Sequence, residues 1–136
     1  MINATSISIS GLNASAARLN ASASNVANAG TAGALPTNPA PDAPAPYTPI
    51  DVVQKSIGEG AASGVSATYV PRTPAYVAAY APDAPFADER GMVAVPNVDL
   101  AQEAVSQIEA ALSFRANVAA LKVEMKTTRD LLDVLA

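Results

Sequence analysis

Apolar residues recur every three or four positions at both ends of this chain and lose that rhythm in between. From Pro96 to Ala136 it reads PNVDLAQEAVSQIEAALSFRANVAALKVEMKTTRDLLDVLA, with no proline or glycine after the opening Pro-Asn. One row runs Phe114, Val118, Leu121, Met125, polar Thr128, Leu132 and Leu135. Leu100, Ala104 and Ala111 hold the same phase, and Gln107 interrupts it. Val105, Ile108 and Leu112 form an adjacent row that widens the apolar face. This is the period of a helix with a coiled-coil seam. At 1.5 Å per residue the helix would be about 55–60 Å long. A domain of this size cannot cover it alone, so the pattern calls for a partner helix. Asn97 and Asp99 are both N-cap residue types, and Asp99 has Gln102 at capping-box spacing. The acids Asp99, Glu103 and Glu109 precede the bases Arg115, Lys122, Lys126 and Arg129, the order that the helix dipole favours. Lys126–Asp130 and Arg129–Asp133 are spaced as i,i+4 ion pairs.

Residues 1–31 carry a second seam: Ile2, Thr5, Ile9, Leu12, Ala16, Leu19, Ala23 and Val26. Arg18 is the only charged residue before Asp42, and the remaining face is serine, asparagine and alanine. Serine and asparagine are mediocre helix formers, and Gly11 costs about 1 kcal/mol more than alanine would. Such a helix is weak alone. Its small, uncharged outer face suits packing by further helices, because no charge has to leave water. The segment is therefore expected to fray in a free subunit and to order on assembly. Both seams are terminal and heptad-spaced, and the centre offers neither a partner. An antiparallel pair within one chain is the economical arrangement. It sets Ile9, Leu12, Leu19 and Val26 against Leu121, Met125, Leu132 and Leu135, with Phe114 and Val118 extending the seam.

The centre has no helical period. Residues 29–49, AGTAGALPTNPAPDAPAPYTP, place Gly30 and Gly33 after the first helix. Their prolines forbid helix or central strand and read as a semi-rigid extended linker. Residues 50–57 (IDVVQKSI) and 65–70 (VSATYV) read as the two strands of a hairpin around Gly58, Gly60 and Gly64. Residues 75–81, with Tyr76, Ala78 and Tyr80 alternating, add a third strand. Residues 82–92 read as a turn-rich loop, and VAVPN leads into the long helix. The expected fold is α+β: long N- and C-terminal helices paired as an antiparallel coiled coil, with a small central β-hairpin and Pro-rich loops. Its regions are a helix over 1–31, a linker over 32–49, a β-rich centre over 50–96 and a helix over 97–136.

Composition narrows the function. With 136 residues the chain is one domain's worth. Its net charge of −4 offers no basic stripe for nucleic acid. It contains no cysteine and no histidine, which removes disulfides, thiolate and imidazole ligands, and imidazole base chemistry. Hydrophobic residues make up 50% but aromatics only 4%, so a heavy core is not expected. No run approaches a membrane span. Residues 1–15 lack the basic and apolar regions of a cleaved signal. Asp83, Asp88 and Glu89 share one loop, but their spacing is not that of an EF-hand, and they read as solvated. GEGAASG lacks the Gly-Lys-Ser/Thr ending of a phosphate loop. No nucleophile constellation is visible. An enzyme, a metal and a cofactor are all unexpected.

Two segments carry a resemblance. Ser10–Gly33, SGLNASAARLNASASNVANAGTAG, resembles the N-terminal signature of the flagellar rod and hook proteins. Its core is Ser24-Asn25-Val26-Ala27-Asn28, followed by Thr31 and Gly33. Asp83–Val105, DAPFADERGMVAVPNVDLAQEAV, resembles the segment that leads into the C-terminal helix of proximal-rod members. Pro96-Asn97-Val98-Asp99-Leu100 is its most specific piece, and Tyr80 before Pro82-Asp83 also fits. The match covers both ends and about half the chain. The family's first motif commonly ends in Gly-Tyr, whereas Gly33 is followed here by Ala34. The resemblance implies a structural subunit exported without a cleaved signal by the flagellar type III apparatus. It implies assembly in the periplasm, with other rod subunits and the basal-body base, into the torque-transmitting rod. It also implies that Ser24, Asn25, Ala27, Asn28 and Thr31 on one side, and Asp83, Pro96, Asn97 and Asp99 on the other, meet neighbouring subunits. The residues alone leave a second reading, a small soluble helical adaptor with a Pro-rich loop.

Overall fold

A computed structural model of the chain describes residues 2–36, 42–58 and 63–135. Helix α1 (Ile2–Ala27) is followed by strands β1 (Ile50–Ile57), β2 (Gly64–Pro71), β3 (Tyr76–Tyr80) and β4 (Met92–Pro96), and then by helix α2 (Leu100–Leu135). The fold is α+β, with a helix at each end and two small antiparallel sheets between, β1 with β2 and β3 with β4. None of the described helices is long and apolar enough to cross a membrane.

Asp99 is the residue that starts α2. Its Oδ1 accepts hydrogen bonds from the backbone N–H groups of Ala101 at 2.8 Å and Gln102 at 3.2 Å. Two of the four donors that every helix leaves unmatched are thereby satisfied. Asn97, the other candidate cap, instead donates its Nδ2 to the carbonyl of Pro74. On the exposed surface of α2, Lys126 and Asp130 meet at 2.6 Å, whereas Arg129 and Asp133 stand 4.0 Å apart.

The chain divides into two compact units. The first comprises Met1–Asn20, Val52–Tyr69 and Val105–Ala136. Within it the two helices meet through small and polar side chains. Ser15 Oγ lies 3.1 Å from Ser113 Oγ, and Arg18 pairs with Glu109 at 2.9 Å. Gly11 faces Asn117 so closely that an added Cβ would stand 2.6 Å from its Oδ1. Gly11 therefore permits a close approach as well as weakening the helix. Ser10 Oγ accepts the N–H of Val65, which ties α1 to the start of β2.

The second unit comprises Ala21–Asp51 and Val70–Ala104. Its centre is β4, where Val93, Ala94 and Pro96 are buried. One side of β4 pairs with β3 in antiparallel register, from Tyr76 opposite Pro96 to Tyr80 opposite Met92. The other side meets Gly33, which exchanges two 2.9 Å backbone hydrogen bonds with Ala94. A strand therefore forms where the sequence suggested only a lead-in, and β3 pairs with it instead of widening the hairpin. Of the proline-rich stretch, Pro39 and Pro41 lie outside the described residues. Residues 42–49 form neither helix nor strand, and they cover Gly33: Ala34 donates to the carbonyl of Pro44, and Pro49 is buried.

A methyl group on Gly33 would fall on the backbone of Pro44, Ala45 and Pro46, which cannot swing aside as a side chain can. Gly33→Ala is expected to destabilise the protein by about 1–3 kcal/mol. Urea unfolding followed by circular dichroism measures this, and an unchanged midpoint would refute the close approach.

Candidate functional site

The buried positions on the helices define a seam other than the apolar one. On α1 they are Ser8, Ala14, Ser15, Ala21, Ser22 and Asn25. Ser8, Ser15 and Ser22 recur every seven residues, one position before the apolar rows of Ile9 and Ala16. On α2, Glu103 and Ala110 are buried, and Asn117 and Glu124, again at seven-residue intervals, are half-buried. One position is a 100° turn of a helix. The expected intrachain seam is accordingly turned outward over much of its length. Ile9, Leu19, Val26, Phe114, Met125 and Leu132 are exposed, while Leu12, Val118 and Leu121 are half-buried. The Leu135 side chain lies outside the described residues. The physical reason is size: serine, alanine and glycine let two backbones approach more closely than leucine does.

Inward polar groups converge on a hydrogen-bonded cluster in the second unit, whereas both carboxylate oxygens of Glu124 are buried without a hydrogen-bond partner among the described residues. Asn25 is 1% exposed and uses its whole amide. Nδ2 donates to the carbonyl of Ile50 at 2.8 Å and to Glu103 Oε1 at 3.0 Å. Oδ1 accepts from Ile50 N–H at 2.9 Å and from the Tyr47 hydroxyl at 3.2 Å. Asn25 thus takes the place of a strand partner at the first residue of β1. Ser22 Oγ donates to the carbonyl of Glu103, and the Ser24 and Tyr47 hydroxyls are 3.0 Å apart.

Glu103 is only 3% exposed and needs a cation. Arg72, just past β2, supplies it: Nη2 stands 2.8 Å from Glu103 Oε1 and 2.7 Å from Asp51 Oδ1. Arg72 Nε is shared between both Asp51 oxygens, and Nη1 donates to the carbonyl of Asn97. The Asp51 carboxylate raises the Arg72 pKa above its ordinary value, and Glu103 adds to the rise against partial burial. Asp51, Arg72, Thr73, Asn97, Asp99 and Gln102 line an open polar hollow of about 230 Å³. With every edge of the guanidinium engaged inside the chain, the cluster is built to hold segments together and leaves no fork for an anion.

The residues expected to meet neighbours separate into two groups. Ser24, Asn25, Asn28, Asn97 and Asp99 make hydrogen bonds within the chain, and Pro96 is buried. Ala27, Thr31 and Asp83 are exposed. Asp51, Arg72 and Tyr47 are central here but were not singled out from the sequence. Their partners lie tens of residues away, and no local spacing marks them. Glu103 was visible only as an acid well placed for the helix dipole.

Of the three loop carboxylates, Asp83 and Glu89 are exposed, and Asp88 holds the loop itself. Its Oδ1 accepts from Met92 N–H at 2.8 Å and Arg90 N–H at 2.9 Å, and Arg90 caps its other oxygen. Gly91 completes the turn at φ 74°. No group of three or more histidine, cysteine or acidic side chains that could hold a metal occurs among the described residues.

No protein-family model matches the chain. No curated protein shows significant similarity to it.

Two measurements follow from this geometry. Arg72→Met strands the buried Glu103 carboxylate and is expected to destabilise by about 3 kcal/mol or more in urea unfolding. Asp51→Asn, at a half-exposed partner, is expected to change stability by less than about 1 kcal/mol. Equal effects would show that Glu103 is not the demanding charge. The Met92 and Arg90 N–H groups lower the Asp88 pKa below its ordinary value. The folded loop therefore binds the proton less tightly than the unfolded chain. Its contribution to stability is present above the ordinary carboxylate range and is lost as pH falls through the lowered folded pKa. A carboxyl NMR titration should place the Asp88 midpoint below about 3.9; a midpoint at or above that value contradicts the contacts.

Proposed function

We propose that this chain is a structural subunit that assembles with copies of itself and with related subunits through its terminal helices, as a flagellar proximal-rod component of the protein C type. The observation that carries the reading is the outward row of Ile9, Leu19, Phe114, Met125 and Leu132 on helices whose facing sides are small and polar. Full burial of a leucine or phenylalanine contributes about 1.5–3 kcal/mol, and covering the roughly half of each side chain still exposed would contribute about half of that, a drive to associate when summed over several per copy. Arg18 is the one charged residue on α1, so little has to be desolvated when neighbours pack around it. Exposed apolar surface of this kind marks an interaction site.

In this reading the helices form an antiparallel coiled coil. Ser15 lies against Ser113 and Arg18 against Glu109, so rising numbers on α1 meet falling numbers on α2. The paired helices build a tube, and the strands and Pro-rich loops face outward. Head-to-tail contacts that do not close into a ring give a filament. The subunit leaves the cytoplasm through the flagellar type III apparatus, joins the basal-body rod in the periplasm and transmits torque for motility. Its work is packing, with no catalytic step and no cofactor. The motif residues around Ser24–Thr31 and Pro96–Leu100 support this family assignment.

Ile9→Asp and Met125→Asp test the reading, because both side chains are substantially exposed. The unaltered chain should sediment as concentration-dependent oligomers and co-purify with basal bodies. Each variant should sediment as a monomer and match the circular dichroism of the unaltered chain at high dilution. A wild-type chain that stays monomeric and cytoplasmic at all concentrations would instead favour a soluble adaptor.

A further inference from the structure

The ionised side chains are divided unevenly between the two units. The first carries six bases and five acids in its sequence, the second two bases and seven acids. Ion pairs within each unit sharpen the division. In the first, Arg18, Lys126 and Arg129 are matched to Glu109, Asp130 and Asp133, while Lys55, Arg115 and Lys122 make no ion pair among the described residues. In the second, Arg72 and Arg90 are both taken by acids, and the exposed Asp42, Asp83 and Glu89 make no ion pair among the described residues. Among the described surface residues, unmatched positive charge therefore lies on the first unit and unmatched negative charge on the second.

Each set accompanies an apolar feature. In the first unit, two hollows of about 220 and 400 Å³ share Phe114 and Arg115. They form a groove walled by Leu19, Phe114, Val118 and Ala119, with Arg115 and Lys122 in its lining. In the second unit, Tyr80 is 72% exposed at the end of β3, three residues before Asp83. Its ring lies against Gly91, where an added Cβ would come within 2.9 Å of Cε2. The loop that follows is closed by short-range bonds: Ala84 N–H donates to the Ala81 carbonyl, Ala87 N–H to that of Ala84, and Gly91 N–H to that of Asp88. The phenol and the two carboxylates are thus carried on backbone that is already hydrogen-bonded, so little conformational freedom is lost on binding.

We infer that the Tyr80 ring of one copy seats in the Leu19–Phe114–Val118 groove of a second, where Asp83 and Glu89 meet Arg115 and Lys122. The inference rests on the self-assembly reading and names a contact that would propagate it. A cavity of about 150 Å³ accepts a benzene ring, so either hollow has room for a phenol. Aromatic anchors seated in pockets carry much of the energy of protein interfaces. Opposite charges around them decide which surfaces meet. Groove and loop are different surfaces, so each copy offers one of each. The contact is heterologous and leaves a groove and a loop free at the two ends for further copies.

The absence of cysteine allows a direct test. Ala119 and Pro85 are both exposed. Ala119→Cys and Pro85→Cys variants are mixed and oxidised, and a disulfide-linked dimer is expected that neither variant gives alone. Adding Arg115→Glu and Lys122→Glu to the Ala119→Cys chain should lower the yield about tenfold. Adding Asp83→Lys and Glu89→Lys to the Pro85→Cys chain as well should restore it, which a groove chain that had merely unfolded would not allow. Tyr80→Ala in the Pro85→Cys chain should lower the yield by itself. If the mixture gives no more dimer than the single variants while the wild-type chain sediments as an oligomer, this contact is wrong and self-assembly stands. If the first charge reversal leaves the yield unchanged, or the second fails to restore it, the pairing of acids with bases is wrong. An unchanged yield with Tyr80→Ala would show that the ring is not the anchor. A wild-type chain that is monomeric at all concentrations overturns both readings.

Discussion

A carboxylate taken out of water at the start of a helix sets the terms for much of this structure. Glu103 is buried, and a buried charge stays ionised only beside a partner that compensates for the lost hydration. Arg72 provides it, and Asn25 supplies a further hydrogen bond. Through Asp51 and the Asn97 carbonyl, the same guanidinium reaches the start of β1 and the approach to α2. Asn25 in turn holds both backbone groups of Ile50. The end of α1, the two ends of the β1–β2 hairpin and the beginning of α2 are thus fixed by one connected set of polar contacts. Such a set specifies geometry more than it adds stability, because each member needs the others in place.

A second constraint is the choice of small residues where the helices meet. Serines at seven-residue intervals, with Gly11, Ala14 and Ala21 beside them, bury little apolar area each. What they provide is close approach and hydrogen bonds at defined heights, such as Ser15 to Ser113 and Ser22 to the Glu103 carbonyl. The large apolar side chains are left for the outer surface. In the assembly proposed above, these outward side chains are what neighbouring copies would cover. The central sheets follow a related economy: Gly33 brings its backbone against Ala94, and the residues around Pro44 close over it.

Short-range pattern suffices for the helices at both ends, for the Asp99 cap as one of two candidates, and for the strands over 50–57 and near 65–70. Each depends on interactions within a few residues: a side chain reaching its own helix N–H groups, a 3.6-residue period, a run of β-branched residues. Tertiary structure alone decided which face of each helix turns inward, that Met92–Pro96 is a strand with Tyr76–Tyr80 as its partner, and that Arg72 joins Asp51 to Glu103. On α1 the serine row of Ser8, Ser15 and Ser22 and the apolar row of Ile9, Ala16 and Ala23, one position on, share the same period. Periodicity therefore identifies a helix without saying which row will be covered. That choice depends on how closely two distant segments can approach and on whether a charge dozens of residues away arrives to meet its counterpart, and neither is written in local spacing.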